Sequence, residues 1–258
     1  MIDIHTHILP GLDDGAGNKD ESLAMARIAL EDGIHTIVAT PHVLPGVFDN
    51  DKNKILSITA KLNQALQEQK IAVNILPGAE YRLEPDLPRK LSQGELLTIN
   101  NNDRYLLVEL PSAFIPEYTA QVLYEIQLQG VTPIIAHPER NGGFTARPAA
   151  LQELVARGML TQITSASITG SFGKNIKQIA WGFIKKGLAH LISSDAHSST
   201  GRAPLLSEAQ KEIQKHLGSK PAWQLIQQNP GLVIEGKPLE KPYISGNNGW
   251  WKQLIKRA

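Results

Sequence analysis

Histidine, aspartate and glutamate residues stand at the ends of five short apolar segments of this chain. These side chains bind hard or borderline metal ions. If the five segments are neighbouring strands, their ends bring about eight ligands to one rim, which is enough for two or three ions. The sequence therefore predicts a multinuclear hydrolase. The segments are Asp3-Ile4-His5-Thr6-His7, Thr40-Pro41-His42, Gly78-Ala79-Glu80, Ala136-His137-Pro138-Glu139-Arg140 and Ser194-Asp195-Ala196-His197.

Two segments place candidate ligands at alternate positions. Alternate residues of a strand point to the same side, so His5 and His7 are expected to chelate one ion. Asp195 and His197 repeat this spacing after another apolar run. Two such pairs at the ends of different strands favour a metal site more strongly than either pair alone.

The acidic candidates differ in their surroundings. Asp13 and Asp14 are adjacent and face different ways, so we predict Asp14 as the ligand and a turn or helix cap for Asp13. Glu80 follows the third run behind Pro77 and Gly78. Glu109 lies within an apolar run, where a carboxylate is costly unless it is paired or metal-bound, so a functional role is expected.

The remaining histidines fall into two groups. His42 and His137 follow apolar runs directly and are expected at the rim. Three others lie at the start of an element or on a helix, and we assign them structural roles: His35, His190 and His216.

Seven apolar runs alternate with helical patterns. The runs are 1–5, 35–40, 73–77, 105–110, 131–136, 160–165 and 188–193. Helices are predicted over 22–32, 52–69, 116–129, 148–156, 175–186 and 204–216, most of them followed by glycine. Repeated strand and helix indicate parallel βα units, and a barrel collects functional groups at the carboxyl ends of all its strands. An open doubly wound sheet would gather them only near its switch point, so we predict an α/β barrel.

Composition limits the function classes. A formal net charge of +1 argues against a dedicated nucleic-acid surface, and the absence of cysteine excludes a cysteine nucleophile. No apolar stretch approaches the roughly 20 residues of a membrane span, and the first ten residues do not have the pattern of a signal peptide, so a cytoplasmic location is expected. One domain over 1–236 is predicted, with a tail over 237–258 that contains Trp250 and Trp251. Prolines and glycines from Asn229 onward are expected to interrupt any helix.

Together these motifs resemble the PHP (polymerase and histidinol phosphatase) superfamily. Within it, the segments beginning at Met1, Ala39, Pro77, Ile135 and Ser193 are similar to the manganese-dependent bacterial tyrosine phosphatases of the CpsB/CapC type, from capsule and exopolysaccharide loci. The resemblance runs from the first residue to about residue 236. It implies a distorted (β/α)7 barrel with a trinuclear centre.

The resemblance also implies roles for individual residues. One ion would be held by His5, His7, Glu80 and Asp195, a second by Glu80, Glu109 and His137, and a third by Asp14, His42 and His197. Two arginines, Arg140 and Arg202, would hold the substrate phosphate. Two or three Mn²⁺ ions are implied, although mixed histidine and carboxylate ligation also suits iron or zinc.

The implied reaction is hydrolysis of phosphotyrosine, with a bacterial tyrosine kinase that controls polysaccharide synthesis as the expected substrate. His42, His197 or a bound water are the candidates for protonating the leaving group. Leu44, Val47 and Phe48 are expected to form an apolar rim for the tyrosyl ring. The alternatives are another PHP activity, such as histidinol-phosphate phosphatase or exonuclease, and a non-catalytic regulator stabilised by metal. The oligomeric state stays open.

Overall fold

The computed structural model describes residues 1–239, so Trp250, Trp251 and the rest of the predicted tail from residue 240 lie outside the described residues. Within them the strands are β1 (Ile2–Thr6), β2 (Thr36–Ala39), β3 (His42–Val43), β4 (Asn74–Pro77), β5 (Glu80–Arg82), β6 (Tyr105–Glu109), β7 (Thr132–Ala136), β8 (Leu160–Thr164) and β9 (Leu191–Ser193). Each of the seven predicted runs overlaps one of these strands, and six of them contain it entirely; β1 extends one residue beyond the run 1–5. The short strands β3 and β5 were not predicted.

All strand pairs are parallel and belong to two sheets, ordered β1-β2-β4 and β3-β5-β6-β7-β8-β9. The chain passes from β2 to β3 and from β4 to β5 after only two residues, so the sheets are continuous along the chain. Gly78 lies at the second break, where a Cβ would come within 2.8 Å of the Val38 side chain. The two sheets therefore form one distorted surface.

The first strand also contacts the chain that follows β9. Thr6 and Ala196 form a parallel bridge, His7 N donates to Ala196 O at 2.8 Å, and Asp195 N donates to His5 O at 2.9 Å. The parallel strands, the helices that connect them and this contact between the first and last strands agree with the predicted distorted (β/α)7 barrel.

In the described part of the chain, eight helices lie between strands, and three follow β9. They are α1 (Lys19–Glu31), α2 (Lys52–Glu68), α3 (Leu87–Ser92), α4 (Thr119–Leu128), α5 (Gly142–Ala146), α6 (Pro148–Ala156), α7 (Ser165–Thr169), α8 (Lys174–Lys185), α9 (Ser207–Leu217), α10 (Ser219–Trp223) and α11 (Asn229–Ile234). All six predicted helices are present. The prediction that prolines and glycines interrupt any helix from Asn229 onward is wrong for α11, which contains Pro230 and Gly231; Pro230 lies near its start, directly after the π-helical turn Gln224–Gln228.

Two apolar clusters support this arrangement. The larger one packs the outer helices against the strands, with buried residues such as Ile37, Leu66 and Ile135. The smaller one joins residues of β1, β2, β6, β7 and β9 to Val233 of α11, so it fills the space that the strands enclose. The polar groups of the rim lie beyond this inner cluster, at the carboxyl ends of the strands.

Candidate metal centre

The first group of predicted ligands meets in a fully buried cluster. The Nε2 atoms of His5 and His7 are 3.2 Å apart. Asp195 Oδ1 lies 3.4 Å from each of these nitrogens, and Glu80 Oε2 lies 3.3 Å from His5 and 3.5 Å from His7. The pairing register of β1 shifts between Asp3 and Thr6, and such irregularities re-aim side chains near functional sites.

The second group lies nearer the surface. His197 Nε2 is 3.4 Å and His42 Nε2 is 3.7 Å from Asp14 Oδ1, and the Asp14 side chain is 55% exposed. His7 joins this group, since one ligand atom from each of the four residues lies within 4.8 Å of the others. Hydrogen bonding to His197 is the main reason that the pKa of Asp14 falls to about 2.

Glu80 connects the first group to a third. Its Oε1 is 3.0 Å from His137 Nε2, which is itself 3.7 Å from Glu109 Oε1. His42 Nδ1 is 3.0 Å from Glu80 Oε2, so His42 also faces this group. Glu109 forms an ion pair with Arg82 at 3.2 Å, which is the pairing that a carboxylate in an apolar run requires.

The spacing of these atoms fits a metal centre. Bonds of about 2.0–2.2 Å to one ion place its ligand atoms roughly 3.0–3.5 Å apart, and the atoms around His5 and His7 are 3.2–3.5 Å apart. Glu80 Oε2 is buried, and although His42, His5 and His7 nitrogens lie 3.0–3.5 Å from it, no contact within residues 1–239 has the geometry of a hydrogen bond. Imidazole and carboxylate donors suit manganese, iron or zinc. The residues present therefore fit bound metal ions.

The protonation pattern of the group follows from its crowding. Burial lowers the pKa of His5 and of His7, but the neighbouring carboxylates outweigh burial and raise both values, that of His7 well above its ordinary range. Burial raises the pKa of Glu80 and of Asp195, but the histidines outweigh it and lower both values well below the ordinary range. Without metal, the cluster is thus held together by charge pairing between imidazolium and carboxylate groups.

Asp13 orients the ligands from outside the cluster. Its Oδ2 accepts from His7 Nδ1 at 2.6 Å and from His42 N at 2.8 Å, and its Oδ1 accepts from Gly15 N at 2.9 Å. A Cβ on Gly15 would lie 2.1 Å from His7 O, so only glycine fits this turn. The prediction of Asp14 as the metal-facing residue and Asp13 as a turn residue agrees with these positions.

Arg140 and Arg202 both reach Asp195. Each donates from Nη2 to Asp195 Oδ2, at 2.5 Å and 2.6 Å, and Arg202 also donates to Asp195 O at 2.9 Å. The Arg140 guanidinium lies 5.4 Å from the centre of the Phe172 ring. The Nε atoms of both arginines are buried and have no acceptor in the described part of the chain. Both side chains are nevertheless partly exposed, at 25% and 34%, and both line the same cavity, so other parts of the guanidinium groups can face an anion there.

A cavity of about 300 Å³ opens onto these groups, and its lining includes ligands from all three groups together with Arg140 and Arg202. The Phe48 ring stacks on His42, with ring centres 5.8 Å apart and planes 11° apart. Val47 is 63% exposed beside it. The backbone N–H of Leu44 donates to the Phe48 carbonyl, and the backbone N–H of Phe48 donates to the Leu44 carbonyl, so the two residues close the loop between them.

All nine predicted ligands and both arginines therefore converge on one rim. His35, His190 and His216 do not join any of the three ligand groups found among residues 1–239, in line with the structural roles assigned to them. His190 is buried, which lowers its pKa to about 4, and its Nδ1 contacts Thr161. Arg82, Gln162 and Phe172 were not predicted from the sequence, because their roles depend on contacts between distant segments.

The chain is similar to a protein family and to individual known proteins. The family described as "Capsular polysaccharide synthesis, CpsB/CapC" matches residues 1–235. The chain is 40% identical over 239 residues to the tyrosine-protein phosphatase YwqE of Bacillus subtilis, with 93% of each protein covered. It is 32% identical over 239 residues to the tyrosine-protein phosphatase CpsB of Streptococcus pneumoniae, with 91% of this chain and 98% of that protein covered.

A crystal structure from work on YwqE and CpsB, described as metal-dependent tyrosine phosphatases, superposes with a TM-score of 0.90 at 37% identity, covering 96% of this chain and 100% of the other. No helix within residues 1–239 is both long and apolar enough to cross a membrane. With the family match extending over most of its length, the chain belongs to the CpsB/CapC family of capsular polysaccharide synthesis proteins.

Proposed function

We propose that this protein is a metal-dependent protein-tyrosine phosphatase. The observation that carries the proposal is the convergence of nine histidine and carboxylate ligands with two arginines around one cavity. The relatives YwqE and CpsB are named tyrosine-protein phosphatases, which supports the same activity here. A chain without cysteine cannot use a cysteine nucleophile, so a metal-based route is consistent with its composition.

The proposal includes two or three Mn²⁺ ions. They would be held by His5, His7, Glu80 and Asp195; by Glu80, Glu109 and His137; and by Asp14, His42 and His197. When bound, such ions lower the pKa of a coordinated water to about 7 and neutralise charge on the phosphoryl group. The two oxygens of Glu80 face different groups, which suits a bridging ligand.

The phosphate is proposed to bind between Arg140 and Arg202. Planar guanidinium groups match the oxygens of a phosphate, and charge-assisted bonds of this kind are the strongest in proteins. Asp195 directs Oδ1 to the histidines and Oδ2 to both arginines, so it sets the distance between the ligand cluster and the phosphate-binding groups.

The leaving tyrosyl ring is proposed to lie against Phe48. The Phe48 ring already stacks on His42, which lines the cavity, so an aromatic group entering there meets an apolar surface. His42 and His197 both lie at the rim and remain the candidates for protonating the leaving oxygen. Phe48→Ala should lower kcat/KM for a phosphotyrosine peptide about tenfold, whereas Tyr124→Ala, an exposed aromatic residue on α4, should not. Equal activity of the two variants would remove Phe48 from the binding wall.

The proposed physiological substrate is phosphotyrosine on a bacterial tyrosine kinase that regulates capsular or exopolysaccharide synthesis. Membership of a family described by capsular polysaccharide synthesis supports this assignment. Such phosphotyrosine forms where ATP is available, so the proposal includes a cytoplasmic location.

Substrate competition tests the activity. Metal-stripped protein with Mn²⁺ restored is assayed on a phosphotyrosine peptide, the matching phosphoserine peptide and histidinol phosphate, with His137→Ala as the control. The proposal expects turnover of phosphotyrosine alone, with strong loss in the variant. Preferential turnover of histidinol phosphate would reassign the protein to the related activity, and metal binding without turnover would support a regulator.

A further inference from the structure

Three histidines of the proposed metal centre share one arrangement of their ring nitrogens. In His5, His7 and His197, Nε2 faces the ligand cluster and Nδ1 faces an oxygen outside it. The outer oxygens belong to Asp13 for His7, at 2.6 Å, and to the backbone carbonyl of Asp195 for His197, at 3.0 Å. An outer acceptor places the ring proton on Nδ1 and leaves the Nε2 lone pair free for a metal.

His5 has a different kind of outer acceptor. Its Nδ1 lies 2.9 Å from Oε1 of Gln162, and both side chains are fully buried. Gln162 lies on β8 between Ala136 of β7 and Leu191 of β9, so strand pairing on both sides fixes its backbone. None of the proposed ligands comes from β8. This strand nevertheless places a polar side chain directly behind one of them.

The orientation of the Gln162 amide is chemically constrained. With Oε1 toward His5, the ring donates from Nδ1, and Nε2 keeps the lone pair that faces Glu80, Asp195 and His7. With the amide reversed, Nδ1 would accept instead, and a neutral ring would carry its proton on Nε2, where a metal must bind. Gln162 Nε2 is buried without an acceptor in residues 1–239, so the contact with His5 is the hydrogen bond that the amide makes there.

We infer that Gln162 is a positioning residue, which holds His5 as the Nδ1–H tautomer and thereby prepares its Nε2 for the metal. This inference rests on the proposed metal centre. The neutral amide also sets His5 apart from His7, whose carboxylate partner makes that ring the more basic ligand. An amide avoids adding another carboxylate to a buried cluster that already contains Glu80 and Asp195.

Two readouts test this role in addition to turnover. Zn²⁺ affinity of the metal-stripped protein is measured by calorimetry, and the ring nitrogens of His5 are observed by ¹⁵N NMR in the zinc-loaded protein. Gln162→Met removes the acceptor at similar volume and should weaken Zn²⁺ binding about 10- to 100-fold, with an upfield shift of the His5 Nδ1–H proton because its hydrogen bond is lost. Gln162→Glu keeps an acceptor and should retain the wild-type Zn²⁺ affinity and the wild-type Nδ1–H signal of His5. Gln224→Met, the same change at another buried glutamine, should leave both unchanged.

The wild-type spectrum alone can overturn the inference. A His5 ring bound to zinc through Nδ1, or lacking the Nδ1 proton, would contradict it even if every variant failed to fold. Zn²⁺ affinity within twofold of wild type in folded Gln162→Met would contradict it as well. Failure of the proposed function would give a different result. A wild-type protein that binds Zn²⁺ with the expected His5 tautomer but hydrolyses no phosphotyrosine would refute the phosphatase activity and would not contradict the role of Gln162.

Discussion

The Asp13 carboxylate accepts hydrogen bonds from two of the proposed ligands, so replacing Asp13 by asparagine should lower both the stability of the protein and its affinity for metal. Both carboxylate oxygens accept hydrogen bonds, Oδ2 from His7 Nδ1 and His42 N, and Oδ1 from Gly15 N, and the side chain is fully buried. Asparagine offers one oxygen and one NH2 group. Whichever way the amide turns, its NH2 group meets at least one N–H donor, so part of the network is lost.

The magnitude follows from these contacts. A hydrogen bond to a charged group contributes about 1.5–3 kcal/mol, and a buried donor left without an acceptor costs about 1–3 kcal/mol. Because both effects act at one side chain and are not additive, we expect Asp13→Asn to lower the unfolding free energy of the metal-stripped protein by about 2–4 kcal/mol. Loss of an outer partner of a ligand should also weaken metal binding about 10- to 100-fold.

Urea unfolding of the metal-stripped protein and calorimetric titration with Mn²⁺ measure the two effects. Asp20→Asn is the matched control, since Asp20 is exposed in the first turn of α1 and should change neither quantity. The reasoning is refuted if Asp13→Asn unfolds at the wild-type urea concentration and binds Mn²⁺ with wild-type affinity.

Three further predictions concern charge at the rim. Burial lowers the pKa of His7, but carboxylate neighbours outweigh it and raise the value well above 6.5, so folded protein keeps a proton that unfolded protein loses. The stabilisation from this proton is complete below pH 6.5 and is lost as pH rises through the folded pKa. Melting temperatures measured in EDTA should therefore fall more steeply above pH 6.5 for wild type than for His7→Gln. Equal slopes for the two proteins would contradict this pH dependence. Burial and Glu80 raise the pKa of Glu109, while Arg82 opposes them, so Arg82→Met should weaken Mn²⁺ binding about tenfold and Arg82→Lys by less. A calorimetric titration in which Arg82→Met matches wild type would exclude this role. At saturating Mn²⁺, Arg140→Lys and Arg202→Lys should each weaken competitive inhibition by inorganic phosphate about 10- to 100-fold, and unchanged inhibition would place the phosphate elsewhere.

Much of the fold was predictable because strand and helix periodicity is local. The helix over 148–156 was predicted with its observed bounds, whereas α9 begins at Ser207 rather than at residue 204. The difference arises from a distant residue, since Asp32 accepts from the backbone N–H groups of Leu206 and Ser207 and thereby caps the helix. The short strands β3 and β5 also depend on pairing with each other across the sheet.

The site was predictable to the extent that its residues mark strand ends. Alternate spacing predicted His5 beside His7, because His5 lies on β1 and His7 directly follows its last residue in extended chain. The partners that orient the ligands were less accessible, because Gln162 is 157 residues from His5 in sequence and looks like an ordinary strand residue. Arg82 likewise gains its role only from register, since it stands opposite Glu109 in the pairing of β5 with β6.

The central claim is that phosphotyrosine hydrolysis depends on metal held by this rim. The most direct measurement titrates metal-stripped protein with Mn²⁺ and follows bound metal and phosphotyrosine-peptide turnover in parallel, with Glu80→Gln as the variant that removes the proposed bridging carboxylate. The account predicts no turnover in stripped protein, turnover that rises with bound Mn²⁺, and loss of both binding and turnover in the variant. Full turnover by stripped protein, or wild-type metal binding and turnover by Glu80→Gln, would contradict it.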